Sequence, residues 1–179
     1  MENFKDKGLK DPADANHGLD LDAMALKVAN EYSDYKKKQK AVGNLDYAKL
    51  PCVNHPVFKG KDVNYDPREV FVSGLFKEKG INNVFLEFYH SLVQGLFKAK
   101  VSKNVYCVNI DAVIAVILLK IVWSDYNDGK MEDGDIESAS FATFLFGRMI
   151  GCAAEIDDHT SRGKNMDTRT PASKCSYVG

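Results

Sequence analysis

The chain has 179 residues but no glycine-rich phosphate loop, neither the GxxxxGK[ST] nor the GxGxxG pattern, and no cysteine–histidine spacing of the kind that holds zinc. Readings that depend on a P-loop, a dinucleotide-binding turn or a structural metal therefore have no support, and no metal is expected. The four cysteines, Cys52, Cys107, Cys152 and Cys175, lie far apart and form no CxxC pair. Cys107 and Cys152 stand in apolar surroundings and read as core thiols. The formal net charge is -1, so no bulk electrostatic pull draws the chain to nucleic acid or an anionic membrane. Met1-Glu-Asn-Phe-Lys-Asp-Lys contains no apolar stretch of the signal-peptide type. The longest uninterrupted apolar run, Ala112–Leu119, is too short to span a bilayer. The expectation is a soluble, cytoplasmic protein with neither a nucleic-acid nor a membrane partner. No segment alternates in the manner of strands, and there is no internal repeat.

What is present is helical period. With 45% hydrophobic residues the chain can bury one core or two small lobes. Residues 1–16 are polar and read as loosely ordered. Leu21, Met24, Ala25, Val28, Ala29 and Tyr32 recur at three- and four-residue spacing, which predicts an amphipathic helix over 19–38. Its basic end, Lys36-Lys-Lys-Gln-Lys40, suits a helix C-terminus. Pro51, Pro56 and Pro67 mark residues 41–67 as loop. A helix over about 68–79 is expected to use Val70, Phe71 and Leu75, and one over 81–98 has a wide stripe of Val84, Phe85, Phe88, Leu92, Leu96 and Phe97. The run after Asp111, through Trp123, is apolar on every side except at Lys120 and so belongs at the centre of a protein. After the turn at Tyr126-Asn-Asp-Gly129 and an acidic approach, Ser138–His159 reads as a long helix with Phe141, Phe144, Leu145, Met149, Cys152 and Ala153 inward. The fold class is all-α.

Four sites are chemically suggestive. His17 stands at the entry to the first predicted helix, and His55 lies in a proline-flanked loop with Arg68 shortly after it. Asp111 stands at the N-cap or first turn of the central helix, where it reads either as a cap or as a partly desolvated carboxylate able to act as a base. Arg148 lies inside an apolar helix, where a guanidinium needs an anion, either an internal acid or a carboxylate ligand held bidentately. His90 and His159 read as surface residues.

In this order, these residues resemble the C-terminal part of the citrate synthase family, whose relatives include methylcitrate synthases and the citryl-CoA lyase module of ATP-citrate lyase. The resemblance runs from about residue 17 to 179. His55-Pro-Val-Phe-Lys59 with Asp66-Pro-Arg68 resembles the family's Gly-His-x-Val-Tyr-Lys … Asp-Pro-Arg signature. Asn109-Ile-Asp111 resembles its Pro-Asn-Val-Asp segment, and Gly147-Arg148 its arginine in the following long helix. Arg169-Thr-Pro … Ser-Tyr177-Val-Gly179 resembles the bacterial Arg-Pro-Arg … Tyr-x-Gly ending, and His17-Gly18-Leu19 the first catalytic histidine motif. Three features depart from the pattern. Asn54 replaces the glycine before the second histidine, the gap from His55 to Asp-Pro-Arg is about four residues longer, and Asp14-Ala-Asn16 replaces a Gly-Pro.

The resemblance implies an arm and helix over 1–40, a citrate-synthase-like small domain over 41–130, and a C-terminal helix and tail of the large domain over 131–179. It implies His17, His55 and Asp111 as catalytic residues, and Arg68, Arg148 and Arg169 as ligands for substrate carboxylates. Lys59 and Lys103 become contacts for CoA. The substrates would be acetyl-CoA and oxaloacetate, with no permanently bound cofactor. It also implies a homodimer in which the C-terminal arginine reaches into the partner's site, or a partner chain carrying the N-terminal portion that the family has and this sequence does not. The function would be condensation to citrate and CoA, with the alternatives of citryl-CoA cleavage by the same site or an inactive helical assembly subunit.

Overall fold

The computed structural model describes residues 2–161. Six helices carry it: α1 (Glu2–Asp6), α2 (Leu21–Ala41), α3 (Pro67–Glu78), α4 (Val84–Lys98), α5 (Ile110–Asn127) and α6 (Asp133–Ser161). Among the described residues β-pairing is confined to two isolated bridges, Val53 with Val108 and Val63 with Val105, so the fold is all-α. The chain divides into two units, Met1–Ser140 and Phe141–Gly179.

The first unit is built around α5. The helix is capped by Asn109, whose side chain accepts from the backbone N–H groups of Asp111 and Ala112. Ala112, Val113, Val116, Leu119, Trp123 and Tyr126 are all buried, as a helix with almost no polar face requires. Val84, Phe85, Leu86 and Val93 of α4 share that core. Asn83 caps α4 through its side-chain oxygen and also donates to Val116 O of α5 at 3.1 Å.

The residues before α2 are not loosely ordered. Phe4 and Leu9 are buried in the main core. Phe4 meets Phe85 and Phe88 edge-on at 5.0 and 5.2 Å, and the Trp123 indole donates to Leu9 O at 3.1 Å. Two apolar residues in a polar stretch make no period, so only tertiary contact reveals them. A second cluster joins α2 to α4, with Ala25 and Ala29 against Leu92 and Leu96.

α3 turns a different face inward from the expected one. Val70, Phe71 and Leu75 are exposed, while Glu69 is buried and Val72 and Phe76 pack on the core. Glu69 can be inside because its carboxylate accepts from Ser73 Oγ and pairs with His90 Nε2 at 2.8 Å.

The loop between α2 and α3 is stitched to the segment that leads into α5. Asn54 N–H donates to Cys107 O at 2.8 Å and Asn109 N–H to Cys52 O at 3.1 Å, while Asn64 N–H and Val105 N–H bond to Val105 O and Asp62 O.

In the second unit, residues 141–161 continue α6. Phe141, Leu145, Met149 and Cys152 are exposed, not inward, with Phe141 at 66% and Met149 at 60%. Apolar periodicity marks the side of a helix that prefers cover, not whether cover is present. By length and composition α6 is able to cross a membrane, a test that core helices of soluble proteins also pass. His159 is buried, against expectation, and its Nε2 lies 3.0 Å from Glu155 Oε1 one turn earlier.

Candidate active site

Two helix N-termini meet at one carboxylate. Asp66 is fully buried and caps α3, its Oδ1 accepting from Arg68 N–H at 3.0 Å. Its Oδ2 accepts from Ile110 N–H, the first residue of α5, at 3.2 Å. The Arg68 guanidinium closes on the same group through Nε to Oδ1 at 3.0 Å and Nη2 to Oδ2 at 2.7 Å. Burial pushes the Asp66 carboxyl up, but the hydrogen bonds and charge of Arg68 outweigh it and hold the group below the usual carboxylate range. Asp66 thus neutralises the partial positive charge of both helix ends and fixes the plane of Arg68.

One residue beyond that junction stands Asp111. It is half-buried in the first turn of α5, and its Oδ1 is buried with no hydrogen-bond partner. A desolvated carboxylate oxygen without a donor is costly, and such an atom in a folded protein calls for an explanation. Cys52 lies beside it on the stitched loop. Burial and the charge of Asp111 push the Cys52 thiol up, while a hydrogen bond from Tyr89 of α4 opposes them. The Tyr89 hydroxyl is itself raised strongly, first by burial. At neutral pH both groups therefore hold their protons, and Asp111 has no anionic neighbour in either of them.

His55 lies on the same loop, just past Asn54. Asn54 has φ +68°, the left-handed conformation that glycine adopts freely and asparagine tolerates. The His55 ring stacks on Phe58 with centroids 4.5 Å apart, and its Nδ1 accepts from Val57 N–H at 3.1 Å and Phe58 N–H at 3.4 Å. A ring nitrogen that accepts from a backbone N–H carries no proton, so neutral His55 bears its proton on Nε2.

His17 repeats the arrangement. Its Nδ1 accepts from Leu19 N–H at 3.0 Å, leaving Nε2 as the donor, 3.9 Å from Glu87 Oε2 of α4. A cavity of about 410 Å³ opens beside it, lined by Gly18, Leu19, Met24, Lys7 and Lys27.

Contacts between the loop holding His55, the residues around Arg68 and the head of α5 bring three expected residues into one neighbourhood. Among the described residues no hydrogen bond directly joins His17, His55 and Asp111. Lys59 and Lys103 are exposed on loops. Arg148 is exposed, not buried, and its guanidinium sits 4.8 Å from the Phe144 ring one turn earlier. The helix it occupies is apolar, but an exposed side chain carries no burial penalty. Arg169 lies outside the described residues. No group of three or more potential metal ligands occurs among the described residues.

Sequence reasoning gave no role to Phe58, Cys52, Tyr89 or the side chain of Asp66. Only Asp66 left a sequence signal, because an acid directly before a helix-starting proline is a capping position. No protein-family model matches the chain, and neither a curated protein nor a solved structure does.

Proposed function

We propose that this chain is the C-terminal catalytic portion of a citrate-synthase-type enzyme, condensing acetyl-CoA with oxaloacetate to citrate and CoA. The observation that carries the reading is the buried Asp111 Oδ1 without a partner. A base that must accept a carbon-bound proton needs an oxygen with no donor already on it. Two histidines with Nε2 as the proton-bearing nitrogen supply the donors that such chemistry needs.

In this reading Asp111 Oδ1 removes a proton from the methyl group of acetyl-CoA. The electron pair moves onto the thioester oxygen, where His17 Nε2–H donates a hydrogen bond as charge develops. The enol carbon attacks the ketone carbon of oxaloacetate, and His55 Nε2–H gives a proton to the ketone oxygen. Water then cleaves the citryl thioester to citrate and free CoA thiol. Arg68, with its plane set by Asp66, binds a substrate carboxylate, and by resemblance Arg148 and Arg169 do the same. Lys59 and Lys103 meet CoA phosphates. By resemblance the active form is a homodimer.

The exposed apolar side of α6 favours one further reading, an assembly subunit without catalysis. The test is release of free thiol from acetyl-CoA and oxaloacetate, with citryl-CoA supplied in a parallel reaction. Thiol release supports the synthase. Acetyl-CoA and oxaloacetate formed from citryl-CoA alone support the lyase direction. Failure of both reactions supports the assembly subunit.

A further inference from the structure

Phe58 belongs to neither of the two hydrophobic clusters, although it is half-buried. An aromatic ring of this size ordinarily contributes to a core. Here its neighbours are functional groups. The His55 imidazole lies on the ring at 4.5 Å with the two planes 26° apart. The Arg68 guanidinium carbon is 5.7 Å from the ring centroid.

The backbone of Phe58 is held as firmly as its ring. Its N–H points at His55 Nδ1 at 3.4 Å, and its carbonyl accepts from the Sγ of Cys107 at 3.7 Å. Cys107 is itself fully buried just before α5. Phe58 is therefore anchored to the frame that carries Asp111, and through its ring it touches the residue proposed to protonate the ketone and the residue proposed to hold a carboxylate of the same substrate.

We infer that Phe58 is a positioning residue, a shared platform that sets the imidazole of His55 and the guanidinium of Arg68 at a fixed separation for oxaloacetate. The inference rests on the condensing reading above. The two groups would grip one small molecule, so an error in their separation acts on both binding and proton delivery. Each of them has other support, His55 from its backbone hydrogen bonds and Arg68 from Asp66. Neither of those supports connects one to the other as directly as this ring does.

The experiment uses Phe58→Leu and Phe58→Tyr in the full chain. Leucine keeps the backbone N–H and C=O and removes only the aromatic face, and tyrosine keeps that face. The His55 ring protons, followed by NMR, feel the ring current of Phe58. The expected result is a downfield move of these protons in Phe58→Leu, with kcat falling roughly 10- to 100-fold and KM rising for oxaloacetate but not for acetyl-CoA. Phe58→Tyr should restore the shift and the kinetics. Unchanged His55 resonances, or an unchanged kcat and oxaloacetate KM in Phe58→Leu beside an active wild type, would overturn the platform. A general loss that raises KM for both substrates, or one that Phe58→Tyr does not repair, would also overturn it. A wild type that releases no thiol overturns the condensing reading itself, and this role with it.

Discussion

Asp66 serves two helices and one guanidinium with two oxygens, so its loss should be felt in both. Asp66→Asn keeps the shape but leaves Arg68 without its counter-charge. The expected cost is about 2 kcal/mol, below the 3–5 of a fully buried pair because the Arg68 side chain remains 39% exposed. Urea unfolding at neutral pH measures it. The sign of the pH dependence follows from the same contacts. Asp66 and Glu69 are both held below the usual carboxylate range in the folded state, against the upward push of burial, by Arg68 and by His90 with Ser73. The unfolded chain therefore binds protons first. Their contribution is fully present above about pH 5 and is lost as the pH falls below about 4 toward the lowered folded values. Asp66→Asn should flatten that acid loss, and an acid limb equal to wild type would remove Asp66 from the account. Part of this was legible: a place for Asp111 in the first turn of α5 was one of the two readings of the sequence. The order His17, His55, Arg68, Asp111 could be read from motifs. The ring tautomers could not, because they depend on which backbone N–H groups a loop turns toward the imidazole. Nor could the burial of Arg148 be judged from its apolar neighbours, since these show what a helix prefers to meet, not whether anything meets it.

The apolar runs of α4 and α5 were readable, but their starts were not: α4 was expected from 81 and begins at Val84 behind the Asn83 cap, and α5 is capped by Asn109, with Asp111 in its first turn. α1 was not readable, since five residues carry no period, and the inward side of α3 was missed because an acid occupies it. α4 crosses α2 closely at Gly95. A Cβ on Gly95 would stand 3.1 Å from Ala25 O, and the obstacle is backbone, not a side chain that can swing away. Gly74, in the middle of α3, has open space where its Cβ would be. Opposite outcomes are expected for the same change. Gly74→Ala should stabilise the protein by up to about 1 kcal/mol through helix propensity. Gly95→Ala should lose that gain to the forced separation of α2 and α4, for a net destabilisation of about 1 kcal/mol. Thermal unfolding of the two variants decides it, and equal stabilisation by both would show that the crossing is looser than the 3.1 Å approach implies.

At the scale of the whole molecule, the described residues of the second unit carry exposed apolar side chains on α6. Phe141, Phe146, Met149 and Ile150 are each more than half exposed. Arg148 is the one charged side chain between Phe141 and Ile150, and near a bilayer centre it would cost roughly 3 kcal/mol. The isolated chain should bind a hydrophobic dye, and the Phe141→Glu, Phe146→Glu double variant should reduce that binding at least twofold without changing the unfolding of the first unit. Dye binding absent from the wild type would mean the surface is already covered. The central claim, however, is that Asp111 is a base and not a helix cap. Asn109 already caps α5, and asparagine at 111 would keep the size of the side chain while removing its basicity. Thiol release from acetyl-CoA and oxaloacetate should therefore fall by at least about 10²-fold in Asp111→Asn, with CoA binding retained. Release at the wild-type rate in Asp111→Asn would contradict the account.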